Sequence, residues 1–306
     1  MSYAIGIDLG GTFIKYGLVD RAGRILCESI RPTYPPGGRS GVFDNIIDII
    51  NELNAFAAGR GFKPEGIGIG APGIVDEGIV TACEANMPDL EGVALGSRIQ
   101  ELVAMPASVD NDANLMALAE WKLGAARGAT DAIFLTIGTG IGGAMVVNDR
   151  LYAGYRNRGA ELGHLVVAID GIPCSCGGRG CLEAHASIRA LIEDYRKETA
   201  EPPDTHLTGS IIVSRYLGNE PAAMATMDRH FDYLAAAIAG LINIFGPQKL
   251  VIGGGISEAG EAYIGPIRRR AMDRAMKETS CYTVIEGARL GNKAGFLGAA
   301  ILAFNS

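Results

Sequence analysis

His164, Cys174, Cys176 and Cys181 place one imidazole and three thiols within eighteen positions, a donor set suited to tetrahedral zinc. A disulfide plus an odd thiol is the alternative, although Cys-x-Cys is too close for an easy bridge. Carboxylates stand at both ends of the segment, Glu161 and Glu183. A metal flanked by acids would shape a site for something rich in hydroxyl groups. With four protein donors the ion has no open position for chemistry, so its expected part is structural.

Three glycine clusters follow strand-like runs. Asp8-Leu9-Gly10-Gly11-Thr12 sets a carboxylate and a hydroxyl beside its glycines; Gly138-Thr139-Gly140-Ile141-Gly142-Gly143 is a second turn; Gly253-Gly254-Gly255-Ile256-Ser257 lies before a helix that Ser257 could cap. Residues without side chains let backbone N–H groups approach phosphate oxygens, and an acid such as Asp8 can orient magnesium-bound water beside a triphosphate. A plain tight hairpin is the other reading of 138–143. Its spacing also matches the dinucleotide fingerprint, but that fingerprint needs a helix to open at the turn, and Ala144-Met145-Val146-Val147 is strand-like. No Gly-x-x-x-x-Gly-Lys-Ser/Thr run is present, which excludes a Walker-type loop. Asn111-Asp112 sits where a strand ending at Asp110 meets a helix. A carboxylate there can accept the proton of an attacking hydroxyl while the adjacent amide fixes the acceptor; alternatively Asp112 is simply the helix N-cap.

The elements that must carry these residues alternate between strand and helix patterns, which predicts an α/β protein. Strand, glycine turn and strand over residues 4–19 are echoed over 132–147, suggesting a duplicated architecture with a ligand between the halves. Apolar residues at helical spacing predict helices over 41–58, from 112 onward, and over 182–199, 221–245, 257–278 and 293–304, with strands at 66–70 and 249–252. The segment 71–78 reads as a turn and hairpin. The 306 residues suffice for two domains. A boundary near residue 115 separates a small α/β domain, 1–115, joined by a C-terminal helix at 293–306, from a large α/β domain, 116–292, that carries the zinc-binding segment.

A net charge of −7 argues against a nucleic-acid surface, and the basic run Arg268-Arg269-Arg270 reads as a solvated helix face. Cys27, Cys83 and Cys281 are spaced like buried single thiols of a reducing compartment. Asp8 interrupts what would be the apolar core of a signal peptide, and the longest uncharged apolar stretch, 234–246, is too short to span a bilayer. The expected location is the cytoplasm.

Taken together, Asp8-Leu9-Gly10-Gly11-Thr12, Ala71-Pro72-Gly73, Asn111-Asp112-Ala113-Asn114, the 138–143 turn, Glu161-Leu162-Gly163-His164, the cysteine run ending at Glu183 and Gly253-Gly254-Gly255 resemble the ROK family of bacterial sugar kinases and repressors, in the actin-like ATPase superfamily. The resemblance implies two RNase H-like domains around a central cleft. It assigns the catalytic base to Asp112, and sugar contacts to Gly73, Asn111, Asp112, Glu161, His164 and Glu183, with Asn86 as a further one. Zinc falls on His164, Cys174, Cys176 and Cys181. ATP and magnesium fall on Asp8, Gly10, Gly11, Thr12, Gly138, Thr139, Gly140, Gly142, Gly254 and Gly255. His164 could then bind zinc through one ring nitrogen and a sugar through the other. Phe13 departs from the polar or basic residue that often follows Gly-Gly-Thr in the family. The expected partners are a hexose and ATP, with no nucleic acid and no membrane, in a homodimer or homotetramer. The reaction implied is ATP-dependent phosphorylation of glucose to glucose 6-phosphate. Fructose, mannose, allose or an N-acetylhexosamine as acceptor, or a non-catalytic sugar sensor, are the alternatives; the chain starts directly on its first strand, without the helix-turn-helix of the family's repressors.

Overall fold

Tyr3–Leu9 (β1) is an apolar run with Ala4, Ile5, Ile7 and Leu9 fully buried, as a strand covered on both faces must be. The computed structural model describes residues 2–34, 41–82, 87, 90–199, 201–202 and 204–305. Through the Gly10–Thr12 turn β1 pairs antiparallel with Phe13–Asp20 (β2), which pairs antiparallel with Ile25–Pro32 (β3). The helix Val42–Ala58 (α1) buries Val42, Ile46, Ile49, Ile50, Leu53 and Ala57, the stripe its spacing predicts. Ile67–Ala71 (β4) then joins β1 in parallel. The short hairpin Ile74–Asp76 (β5) and Ile79–Ala82 (β6) and the helix Leu95–Val103 (α2) lead to Ala107–Asn111 (β7), parallel to β4, and to the helix Asp112–Lys122 (α3). The sheet order is β3-β2-β1-β4-β7.

The second sheet repeats this plan. Ala132–Ile137 (β8), Ile141–Val147 (β9) and Arg150–Leu151 (β10) form the antiparallel part. The helices Leu182–Ala186 (α4), Ile188–Thr199 (α5), Gly209–Leu217 (α6) and Pro221–Phe245 (α7) follow. Lys249–Gly253 (β11) runs parallel to β8, and after Glu261–Arg274 (α8) and Lys277–Ser280 (α9) the strand Val284–Gly287 (β12) runs parallel to β11. Its order, β10-β9-β8-β11-β12, matches the first sheet strand for strand, so the duplication read from two glycine turns extends to the whole topology. Both folds are the RNase H-like plan of the actin-like superfamily.

Two compact units divide the chain: Met1–Leu123, Ala153–Gly159 and Asn292–Ser306 form one, Gly124–Tyr152 and Ala160–Gly291 the other. The division falls at 123 rather than 115 because α3 is one unbroken helix. Residues 153–159 return to the first unit, where Arg156 Nε meets Asp76 Oδ2 at 2.9 Å and Asn157 Nδ2 donates to the Val75 carbonyl at 2.6 Å. The C-terminal helix Ala294–Ala303 (α10) is apolar nearly all round and packs in the first unit. It lies against bare backbone: a Cβ on Gly6 or Gly68 would collide with the Phe296 or Ala299 carbonyl.

Other expectations need correction. The helix expected over 182–199 breaks at Ser187, whose ψ of 165° is extended. The one expected over 257–278 begins as a 3-10 turn, Gly255–Ala259; Gly260, at φ 61°, interrupts it before α8, and Ala275 ends α8 in extended backbone. The Ser257 hydroxyl therefore donates back to the Gly254 carbonyl at 2.7 Å instead of capping a helix. The 268–270 run is not merely solvated: Arg268 Nε donates to the Ile285 carbonyl, and Arg270 bridges to Asp228 and Asp232 on α7. Cys281 is exposed, Cys27 is half-buried, and Cys83 lies outside the described residues. Among the described residues no helix is long and apolar enough to cross a membrane.

Candidate functional site

The Cys/His cluster is built on a short ribbon rather than on regular structure. Single bridges pair Val166 with Cys181 and Pro173 with Arg179, closing the loop on itself. Within it a tight turn links Cys174 N–H to the Gly178 carbonyl (2.9 Å) and Gly177 N–H to the Cys174 carbonyl (3.1 Å). One donor atom from each of His164, Cys174, Cys176 and Cys181 lies within 4.8 Å of every other. His164 Nδ1 is 3.7 Å from Cys174 Sγ, and Cys176 Sγ is 3.7 Å from Cys181 Sγ. A regular tetrahedron with zinc–sulfur bonds of about 2.3 Å has edges of about 3.8 Å. Two of the separations match that edge, so the donor set suits a zinc ion. Burial, together with the neighbouring thiols, pushes Cys181 up to about 12, so a cation is what would turn it into a thiolate.

Glu183, on the first turn of α4, ties this segment to the β8–β9 turn. Its Oε2 accepts from Ile141 N–H at 2.9 Å and its Oε1 from the Ser175 hydroxyl at 3.1 Å. A Cβ on Gly140 would push against that carboxylate. Glu161 is exposed at the start of the 3-10 turn Leu162–His164, and its carbonyl accepts from His164 N–H at 3.0 Å. The 138–143 turn closes through Gly138 N–H to the Gly140 carbonyl (2.9 Å), leaving Thr139 exposed at its tip. Gly254, at φ 92°, approaches the end of β8 so closely that a Cβ would strike the Ile137 carbonyl. The second unit thus gathers Gly138, Thr139, Gly140, Gly142, Gly254 and Gly255 at the C-terminal ends of two adjacent parallel strands, the edge where open α/β sheets hold ligands.

In the first unit the corresponding edge carries Asp8. The turn after it is held by Gly10 N–H to the Phe13 carbonyl (3.0 Å) and by Thr33, whose hydroxyl donates to the Gly10 carbonyl (2.6 Å) and whose N–H donates to the Thr12 carbonyl (2.9 Å). Phe13 contributes its backbone here, and its ring is exposed. Burial holds the Asp8 carboxyl above the usual carboxylate range, with Lys15, its cross-strand partner, pulling it back. A buried carboxylate so placed suits a cation. Gly295 of α10 leaves room for it, since a Cβ there would meet the Asp8 carboxylate. A Cβ on Gly70 would stand 3.8 Å from Asp8 Oδ1 and 3.7 Å from the Cα of Asp112, so the two acids flank one point of β4.

Asn111, not Asp112, is the N-cap of α3. Its Oδ1 accepts from Ala113 N–H (2.9 Å) and Asn114 N–H (3.2 Å), and its Nδ2 donates to the Gly73 carbonyl at 2.7 Å. One amide hydrogen of Asn111 remains for a ligand, and Gly73 acts on the site by holding it. Asp112 is exposed at the first helical position, where the helix dipole favours a carboxylate. Asp110 was not foreseen as part of this site. Its Oδ1 accepts from Asn111 N–H (2.7 Å) and Asn114 Nδ2 (2.9 Å), and burial raises its carboxyl. The run Asp110-Asn111-Asp112-Ala113-Asn114 held that signal: a second acid with an amide four residues on. Thr33 and Ser175 carried none. Asn86 lies outside the described residues.

Relatives share the sequence and the fold. The chain is 38% identical to the glucokinase of Thermotoga maritima, over 97% of this chain and 95% of that protein. It is 29% identical to the N-acetyl-D-glucosamine kinase of Yersinia pseudotuberculosis, over 97% of each. The solved ROK family glucokinase from Streptomyces griseus, in complex with glucose and AMPPNP, matches it with a TM-score of 0.83 and 32% identity, over 100% of both chains. The ROK family's own model matches residues 4–306, nearly every position of the sequence, and the chain belongs to the ROK family.

Proposed function

We propose that this chain is a sugar kinase that transfers the terminal phosphoryl group of ATP to the 6-hydroxyl of glucose. The observation that carries this reading is the 38% identity to a glucokinase over nearly the full length of both proteins. Asp112 is the base: exposed at the start of α3, it accepts the hydroxyl proton as the sugar oxygen attacks. Asn111 positions the acceptor with its remaining amide hydrogen. Glu161, His164 and Glu183 hold ring hydroxyls; each oxygen of Glu183 already accepts one bond from the chain and keeps a lone pair for a second. His164 presents Nδ1 to the cysteines, which leaves Nε2 for the sugar.

Backbone N–H groups of the 10–12, 138–142 and 254–255 turns, with Thr12 and Thr139, cradle the phosphates. Asp8 is the residue that holds magnesium through its water, and magnesium, when bound, neutralises charge on the phosphate oxygens. Zinc on His164, Cys174, Cys176 and Cys181 fixes the orientation of His164 and of the loop before Glu183. The protein works in the cytoplasm, where ATP and reduced thiols coexist, as a homodimer or homotetramer.

The 29% identity to an N-acetyl-D-glucosamine kinase favours an N-acetylhexosamine as the second reading of the acceptor. Initial rates with ATP across glucose, mannose, fructose, allose and N-acetylglucosamine decide between them. The expected result is the highest kcat/KM on glucose. Preference for the acetylated sugar would establish the second reading, and no ATP consumption with any sugar would leave a sensor.

A further inference from the structure

We propose that Asn157, on the segment 153–159 that returns to the first unit, is a positioning residue for the phosphoryl transfer. Its side-chain amide holds Asp110, and through Asp110 the strand-to-helix junction that presents Asp112. The proposal rests on the kinase reading above, in which Asp112 is the base.

The segment closes on itself, with Gly159 N–H donating to the Ala153 carbonyl at 2.8 Å. In its middle Arg156 and Asn157 both take the left-handed region, at φ 53° and φ 58°. Two successive non-glycine residues there are costly and persist only where the surroundings over-determine them. The surroundings are β5. The Asp76 carboxylate receives Arg156 Nε at 2.9 Å and lies 3.8 Å from a guanidinium nitrogen of Arg158, while Asn157 Nδ2 donates to the Val75 carbonyl at 2.6 Å. Asparagine is also among the side chains that tolerate this backbone region best, so position 157 combines a permissive backbone with a donor.

Two lines of hydrogen bonds run from Asn157 to the junction. In the first, the Asn157 amide donates to Asp110, whose Oδ1 accepts from Asn111 N–H at 2.7 Å and Asn114 Nδ2 at 2.9 Å. Burial raises the Asp110 carboxyl, and the bonds from Asn114, Asn111 and Asn157 draw it back towards the charged form. A carboxylate so enclosed needs its donors, and an amide has two hydrogens, enough for both Asp110 and Val75. The second line passes along the chain from Val75 to Gly73, whose carbonyl accepts from Asn111 Nδ2 at 2.7 Å. Both lines end on the residues just before Asp112, so they fix the direction in which the base leaves the strand. A displacement of about 1 Å in a catalytic group is enough to slow a reaction on the order of a hundredfold.

The test compares the full chain with Asn157→Gly, which leaves the left-handed backbone open and removes the amide, and with Asn157→Asp, which sets a second carboxylate against Asp110. At saturating glucose and ATP, Asn157→Gly should lower kcat about tenfold, the size of one lost hydrogen bond to a charged group, and Asn157→Asp should lower it further. The glucose Kd should stay within about twofold, because the loss belongs to the transition state and Asn111 keeps its bond to Gly73. In an Asp112→Ala background Asn157→Gly should cost nothing more, whereas a merely structural role would add its loss there too. Hydrogen exchange followed by mass spectrometry reads the same brace without turnover: amides of residues 110–116 should exchange about tenfold faster in Asn157→Gly, with those of α5 unmoved. Unchanged kcat, additive losses with Asp112→Ala, or unchanged exchange at 110–116 would overturn the assignment. Faster exchange there, in a protein whose wild type phosphorylates no sugar, would instead strike the kinase reading and leave the brace standing.

Discussion

Asp110 and Asp112 are two positions apart and do different work because of what already binds them. The Oδ1 of Asp110 accepts from a backbone N–H and from the Asn114 amide, which turns that acid into a brace for the strand-to-helix junction. Asp112 is exposed on the first turn of α3, one residue beyond the cap. Replacing Asp112 with Ala should lower kcat on the order of 10²- to 10⁴-fold, the range of positioned proton transfer, while glucose still binds. Steady-state rates together with a glucose titration followed by intrinsic fluorescence check this, and normal turnover would remove Asp112 from its role. The sequence placed an acid, Asp112, at a strand-to-helix junction, and the structure has it exposed at the first helical position. The capping duty of Asn111 was not legible there, since either residue could have capped; the choice depended on which peptide turns into the helix first.

At the scale of elements, legibility followed local periodicity. The helices α1 and α7 carry long apolar stripes and stand where the spacing put them. The helix α6 has nine residues, too few for a stripe, though Thr208 capping it through Ile211 N–H was a readable start. The four-residue strand β12 owes its place to pairing with β11, some thirty-five positions earlier, which no local pattern encodes. The cysteine ribbon is the opposite case: its residue types suggest a metal, while isolated bridges and tight turns rather than paired strands carry its backbone. A zinc ion bound there would stabilise such a segment. Elemental analysis should find about one zinc per chain, and Cys176→Ser should lose the zinc and raise the glucose KM, because His164 and the loop leading to Glu183 lose their anchor. A fully active preparation without zinc would overturn the metal's part.

Over the whole molecule, the same five-strand plan occurs twice, but the two cores are filled differently, and acid stability follows from one of them. In the second unit His230 of α7 is buried against α8, with Nε2 2.6 Å from the Tyr263 hydroxyl and Nδ1 without a hydrogen-bond partner among the described residues. Burial pulls its pKa down from 6.5 to about 3, so the folded chain keeps it neutral where the unfolded chain would protonate it. The unfolded state therefore binds the extra proton between about pH 3 and 6.5, and stability is lost as pH falls through that window. The buried carboxyls of Asp8 and Asp110 act the other way, because their raised values make the folded state the better proton acceptor as pH drops. Both are unchanged in a His230→Gln variant, whose amide can still meet Tyr263, so a comparison of the two proteins isolates the histidine. Each pH unit below the unfolded value costs the wild type about 1.4 kcal/mol relative to the variant, or about 3 kcal/mol by pH 4.5. Calorimetric unfolding at pH 7 and pH 4.5 should show the wild-type midpoint falling further than the variant's. Parallel shifts would mean that His230 takes up its proton without unfolding and that its burial is not what limits stability in acid.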